Sequence, residues 1–193
     1  MMIDGYLIRS TVSELKLTGD GRTVVGMLAP YNEIAEVNDG FGNYYEMYAP
    51  GCFDRCTKSG QGPANYLRVQ LEHNGRWVGR GNRWHDGPAG LAAELRLDDT
   101  EGGREAAFKI RDGQTPGLSL AFLATPAGSK QRRINGRDVL VRERIKALHH
   151  VALCMTPAYA GAQVEAVRSA PERKGPPERL AYWQQWTERV RRD

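Results

Sequence analysis

One hydroxyl sits in the middle of an apolar stretch of this chain. In "TPGLSLAFLA", residues 115–124, Ser119 lies between Leu118 and Leu120, just after Pro116-Gly117. A buried serine must find a hydrogen-bond partner or cost stability. It becomes a nucleophile only when a base stands within reach and a third group orients that base. The chain has four histidines, at 73, 85, 149 and 150. Ser119, His73 and one of the adjacent pair could form such a set, since all lie on or beside apolar strands. Successive strand residues face opposite ways, so His149 and His150 should not both join it. Spacing does not separate this set from a hydrogen-bonded core serine with structural histidines, the reading that composition and parity favour.

The rival chemistries are weaker. Cys154 shares a strand face with His150, but four strand residues separate them by roughly 13 Å. Cys52 and Cys56 form a C-x3-C pair with no second pair nearby, which is poor zinc spacing. Both read as small, partly buried side chains. His85 in "NRWHDGPAG" reads as a solvated loop residue, and Asp98-Asp99 as a turn or helix start. Gly79, Gly81 and Gly87 make no phosphate-cradling pattern. No cofactor and no metal is expected.

The elements that must position the serine and histidines are mostly strands. "GYLIRSTV", "GRTVVGMLAPYN", "NYLRVQLEH", "GLAAELRL", "TPGLSLAFLA" and "LHHVALCM" alternate or are rich in β-branched residues. In "NYLRVQLEH" the alternation puts Leu67, Val69, Leu71 and His73 on the inward, apolar side. In "GLAAELRL" it groups Leu91, Ala93, Leu95 and Leu97. "DGFGNYYEMYAPG" reads as a loop entering a short extended piece. Asn135-Gly136 in "QRRINGRDVLVRERI" is a strong hairpin signal. Two segments read as helices: "PGCFDRCTKSG", and "DDTEGGREAAFKIRDG" with Gly113 as its stop. Gly102 and Gly103 weaken the second. The fold class expected is mainly β with flanking helices, a barrel or sandwich-like core.

Length and charge bound the rest. The chain of 193 residues suits one domain with a tail. No apolar run reaches the ~18 residues of a membrane span, so no membrane partner is expected. "MMIDGYLIRSTV" carries Asp4 early and has no apolar core of a signal peptide. Three cysteines form no even framework, which favours a reducing, intracellular compartment. The net charge is +4. Residues 168–193 hold seven Lys/Arg against four Asp/Glu, or +3, and the other residues hold 20 against 19, or +1. A nearly neutral body argues against nucleic acid as a partner. We read 1–167 as the folded domain and 168–193 as a basic linker followed by an amphipathic helix with Leu180, Trp183, Trp186 or Thr187, and Val190 on one side.

The order of five motifs carries a resemblance. "GRTVVGMLAPYN", "YYEMYAPGCFDR", "LEHNGRWVGR", "GLSLAF" and "HHVALCMTPAYAGA" follow one another as in the prohead maturation proteases of tailed bacteriophages. It covers about residues 5 to 167. "PGCFDR" and "PAYAGA" are its most specific pieces. That family is similar in fold to the herpesvirus assembly proteases, which implies a barrel-centred, assemblin-like serine protease domain.

The resemblance implies Ser119 as nucleophile, His73 as general base and His150 as third member. Many phage members carry glutamate where this chain has His150, whereas the herpesvirus relatives use a second histidine there. The type is therefore Ser-His-His or Ser-His-acid, with Glu143 the less favoured substitute. The implied activity is a serine endopeptidase that processes capsid or scaffold protein, and itself, during phage head maturation. A catalytically inactive assembly or scaffolding module of the same fold is the alternative. The implied partners are the phage major capsid protein and scaffold polypeptide, with room for a homodimer. The implied place is the host cytoplasm, inside the immature head.

Overall fold

Alternating apolar and β-branched residues cannot bury a helical stripe, but they can bury one side of a sheet, and sheets dominate this chain. The structure, a computed structural model, describes residues 2–3, 6–12, 15–18, 20–39, 42–58, 67–73, 75–115 and 117–154. The linker and helix expected over 168–193, and the segment "PAYAGA", lie outside the described residues.

The strands are β1 (Met2–Ile3), β2 (Tyr6–Val12), β3 (Lys16–Thr18), β4 (Thr23–Pro30), β5 (Ala35–Asn38), β6 (Asn43–Tyr48) and β7 (Arg68–Leu71). They continue with β8 (Trp77–Gly87), β9 (Gly90–Leu97), β10 (Gly117–Ala124), β11 (Ser129–Ile134), β12 (Arg137–Arg142) and β13 (Ile145–Cys154). Helices α1 (Asp54–Thr57) and α2 (Glu101–Arg111) flank them. One sheet has nine strands in the order β1-β2-β10-β13-β7-β8-β9-β4-β3, and the other four in the order β11-β12-β6-β5. The larger sheet curls into a half-barrel, bringing β4 against β10 and β2 across the core. Its pairs are antiparallel except β13 with β7. The fold is thus mainly β with flanking helices and a barrel-like centre.

The larger sheet buries one main apolar cluster, and Ala35, Val37 and Tyr44 form a small second one on the four-stranded sheet. Leu91, Ala93, Leu95 and Leu97 are buried together, as their alternation requires, with Val69, Leu118, Leu120, Phe122, Val151 and Leu153. The hairpin at Asn135-Gly136 forms between β11 and β12, both turn residues having left-handed φ of 49° and 75°. It leaves the main sheet and pairs with β6.

Helix α2 starts on Thr100, whose side chain accepts from the Gly103 N–H at 3.2 Å. A Cβ at Gly103 would lie 1.9 Å from the Asp98 carbonyl oxygen. The glycine that weakens the helix on propensity is there because backbone passes too close for a side chain.

One sequence expectation is corrected here. His85 is not a loop residue: β8 runs through it to Gly87, paired with β9 residue by residue. "NRWHDG" shows no apolar period because, of its two inward positions, only Trp84 is apolar and packs on the core. The other is Asp86, whose carboxylate accepts from the Tyr31 and Thr57 hydroxyls.

Candidate active site

Strand alternation divides β10 between two faces. Leu118, Leu120 and Phe122 enter the apolar core, which leaves Ser119 and Ala121 on the other face. Ser119 is paired across the sheet with Ser10 on β2 and Ala152 on β13, and Ala121 is paired with His150. Paired residues project to the same side, so Ser119 and His150 share a face on adjacent strands. This face is also closed off: Ser119 is 0% exposed and His150 5%.

His73 reaches that face by a route that parity does not describe. The alternation of β7 stops at Leu71, and Glu72 takes a left-handed φ of 54°. A non-glycine residue in that region is uncommon and reverses the local chain direction. His73 therefore stands in a turn beyond the strand, with the serine and away from Val69 and Leu71, which pack with the core. The inward, apolar position expected for it is corrected accordingly.

The resulting contacts are short. Ser119 Oγ lies 2.7 Å from His73 Nε2, and His73 Nδ1 lies 2.9 Å from His150 Nε2. The turn and two strands thus bring together the three residues singled out in the sequence. Glu143 is elsewhere, its carboxylate bonded to Lys130 and Arg132 of β11, which hold it below the usual carboxylate range. Cys154 lies close enough to bond the Ser119 and Ser10 hydroxyls, but burial pushes its thiol up to about 12. It stays a neutral thiol at pH 7 and is no competing nucleophile.

Trp77 escaped the sequence reading, and the expectation that strand parity keeps His149 away from His150 is corrected here. Trp77, half exposed, stands edge-on to His150 with ring centroids 6.1 Å apart. His149 also reaches the cluster. Ala121 pairs with His150 and Phe122 with Leu148, so His149 is the extra residue of a β-bulge. The alternation that would separate the two histidines is broken there, and His149 Nδ1 lies 2.8 Å from His150 Nδ1. Its ring stacks on Tyr6 at 4.0 Å. A bulge has no local sequence signature, so nothing in "LHHVALCM" could have announced it.

Burial holds the His73 and His150 imidazoles at a pKa of about 4 each, His150 being lowered further by His73 and His149. An ordinary histidine titrates near ~6.5 in an unfolded chain. Between those values the unfolded chain binds more protons than the folded one, so stability rises with pH. The contribution is complete above about 6.5 and is lost as pH falls towards about 4. Calorimetric melting temperatures should therefore drop across that window, and less steeply in His150→Gln. An equal slope in the variant would show that the buried ring does not titrate there.

Among the described residues no group of three or more His, Cys, Asp or Glu is arranged to hold a metal ion. No described helix is long and apolar enough to cross a membrane.

Three comparisons bear on this geometry. Residues 10–174 match a family model described as caudovirus prohead serine protease. Among solved structures, the chain is similar to the bacteriophage T4 capsid assembly protease, gp21, with a TM-score of 0.50 and 12% identity. That match covers 76% of this chain and 96% of the other. At such identity the likeness is one of fold. No curated protein sequence matches.

Proposed function

The chain belongs to the caudovirus prohead serine protease family, and on that premise we propose that it is a Ser-His-His endopeptidase acting on capsid and scaffold polypeptides, and on itself, inside the immature head. The observation that carries the assignment is the unbroken run of contacts from Ser119 Oγ through His73 to His150, at 2.7 and 2.9 Å. The base is within reach of the proton it must take, and its other nitrogen is oriented.

The steps follow from those contacts. Ser119 Oγ attacks the scissile carbonyl carbon while its proton passes to His73 Nε2. The imidazolium so formed donates from Nδ1 to His150 Nε2. His73 then returns its Nε2 proton to the leaving amine, and the acyl group stays on Ser119 until water repeats the sequence. A neutral imidazole stabilises the His73 cation less than a carboxylate would, and a base held near pKa 4 is a weak one. Slow turnover results, which a once-per-head cleavage tolerates. Because the base must be neutral, the acid limb of the rate should fall near pH 4 and not near the ordinary histidine value. A midpoint above pH 6 in the free enzyme would contradict the burial of His73.

The inactive assembly module has one observation in its favour, the complete burial of Ser119. A scissile carbonyl reaches Oγ only when neighbouring groups part. Co-expression with the capsid and scaffold proteins decides between the two readings. Intact masses should show trimmed products with the wild-type chain and full-length partners with Ser119→Ala. Identical masses in both cultures would favour the inactive module.

A further inference from the structure

A catalytic triad that ends in a carboxylate has a built-in direction, because a carboxylate only accepts hydrogen bonds. An imidazole in that place has none. Each neutral ring carries one N–H and one bare nitrogen, so the run Ser119–His73–His150 can point either way at the same distances. In the productive direction Ser119 donates to His73 Nε2, His73 donates from Nδ1 to His150 Nε2, and His150 keeps its proton on Nδ1. In the reverse direction His150 donates from Nε2 to His73 Nδ1, and His73 donates from Nε2 to the serine. No base then faces the hydroxyl.

Something must hold the His150 proton on Nδ1, and His149 Nδ1 is 2.8 Å from that atom. We propose that His149 is a positioning residue that accepts from His150 Nδ1–H and so sets the direction of the whole run. The inference rests on the reading of Ser119 and His73 as nucleophile and base. The geometry is specific to the task. The bulge in β13 turns His149 towards its neighbour, and the stack on Tyr6 fixes the plane of its ring. The proton of His149 then sits on Nε2, a tautomer that an exposed ring adopts without desolvation. His149 touches neither Ser119 nor His73 in this arrangement and acts only through His150.

The test uses the full chain and an alkyl fluorophosphonate, which forms a bond from Ser119 Oγ to phosphorus and expels fluoride as His73 takes the hydroxyl proton. His149→Phe keeps the stack on Tyr6 but has no acceptor. Its maximal labelling rate should fall by on the order of 10- to 100-fold, by analogy with the loss of a partner that orients a metal-ligating histidine, with the inhibitor's half-saturating concentration unchanged. His149→Asp can only accept, and should recover most of that loss. Nitrogen-15 spectra of histidine-labelled protein should show the His150 proton on Nδ1 in the wild type and shared between the two nitrogens in His149→Phe. A wild-type labelling rate in His149→Phe, or an unchanged His150 tautomer, overturns the proposal. The spectra need no reaction. If the wild-type chain is not labelled at Ser119, the nucleophile reading fails on its own and the tautomer result still judges His149.

Discussion

Ser119→Ala should lose on the order of 10⁴-fold or more in cleavage rate while keeping its fold. The hydroxyl is the only atom at this position that can attack, and its hydrogen bond goes to His73 Nε2 at 2.7 Å. Removing it leaves a small side chain on a face where Ala121 and Ala152 already pack at 0% exposure. The stability cost should be about 1 kcal/mol, because the partly buried His73 nitrogen loses one neutral hydrogen bond. His73→Ala should be as inactive, and the double variant no worse, since members of one catalytic unit do not contribute independently. Cleavage of co-expressed capsid protein, read by intact mass, checks the rate, and urea melts check the fold. If Ser119→Ala processed its partner at the wild-type rate, Ser119 would be a core residue and the run of histidines structural. A double variant much slower than either single one would likewise separate His73 from the serine.

The chemistry of this site was more legible than its geometry. A serine flanked by leucines, a histidine after a strand and a histidine pair on another strand can all be read as residue types. Alternation marks six of the nine strands of the larger sheet, β2, β4, β7, β9, β10 and β13, but not β1, β3 or β8. Leu91, Ala93, Leu95 and Leu97 are buried where their period puts them. What alternation could not supply are the two places where it stops. The left-handed φ at Glu72 carries His73 from the core side to the serine's side. The bulge at His149 lets two adjacent histidines meet. Both are single-residue departures fixed by long-range pairing and not by composition. They fall within the proposed catalytic cluster, where local rules are expected to give way to function. His85 shows the opposite failure: the strand continues, but its inward position at Asp86 is filled by a carboxylate bonded to Tyr31 and Thr57, so no apolar period reveals it.

A second feature had no local signal at all, and it supports the largest stability effect expected. Arg9 on β2 and Arg142 on β12 both bond the carboxylate of Glu46 on β6, and the three are 2%, 1% and 0% exposed. Their partners lie 37 and 96 residues away in the chain, so no spacing rule could connect them. Arg9 also donates to the Tyr44 hydroxyl at 2.6 Å, and Arg142 to Ser129 Oγ at 2.9 Å. Burial alone would push the Glu46 carboxyl up, but Arg142 and Arg9 outweigh it and hold the group below the usual carboxylate range. The cluster joins the four-stranded sheet to β2, the neighbour of the serine's own strand. Glu46→Ala leaves two guanidiniums without their shared carboxylate in a site that excludes water. Breaking such a group by removing one member costs about 3–5 kcal/mol, and at ~2–4 °C per kcal/mol for a chain of this size the melting temperature should fall by roughly 10 °C. Glu46→Gln should be nearly as damaging, because it keeps the shape and an acceptor but not the charge. Replacing all three residues together, Arg9→Met, Glu46→Leu and Arg142→Met, should recover much of the loss, since no charge is then left buried. Urea and thermal melts of the single and triple variants measure these differences. A Glu46→Gln protein within about 1 kcal/mol of wild type would mean that hydrogen bonding alone holds the two sheets together and that the charges there are already compensated. Buried Asp39, which acts on the Tyr44 hydroxyl from nearby, would be the group to supply that compensation, and Asp39→Asn in the Glu46→Gln background would then expose it.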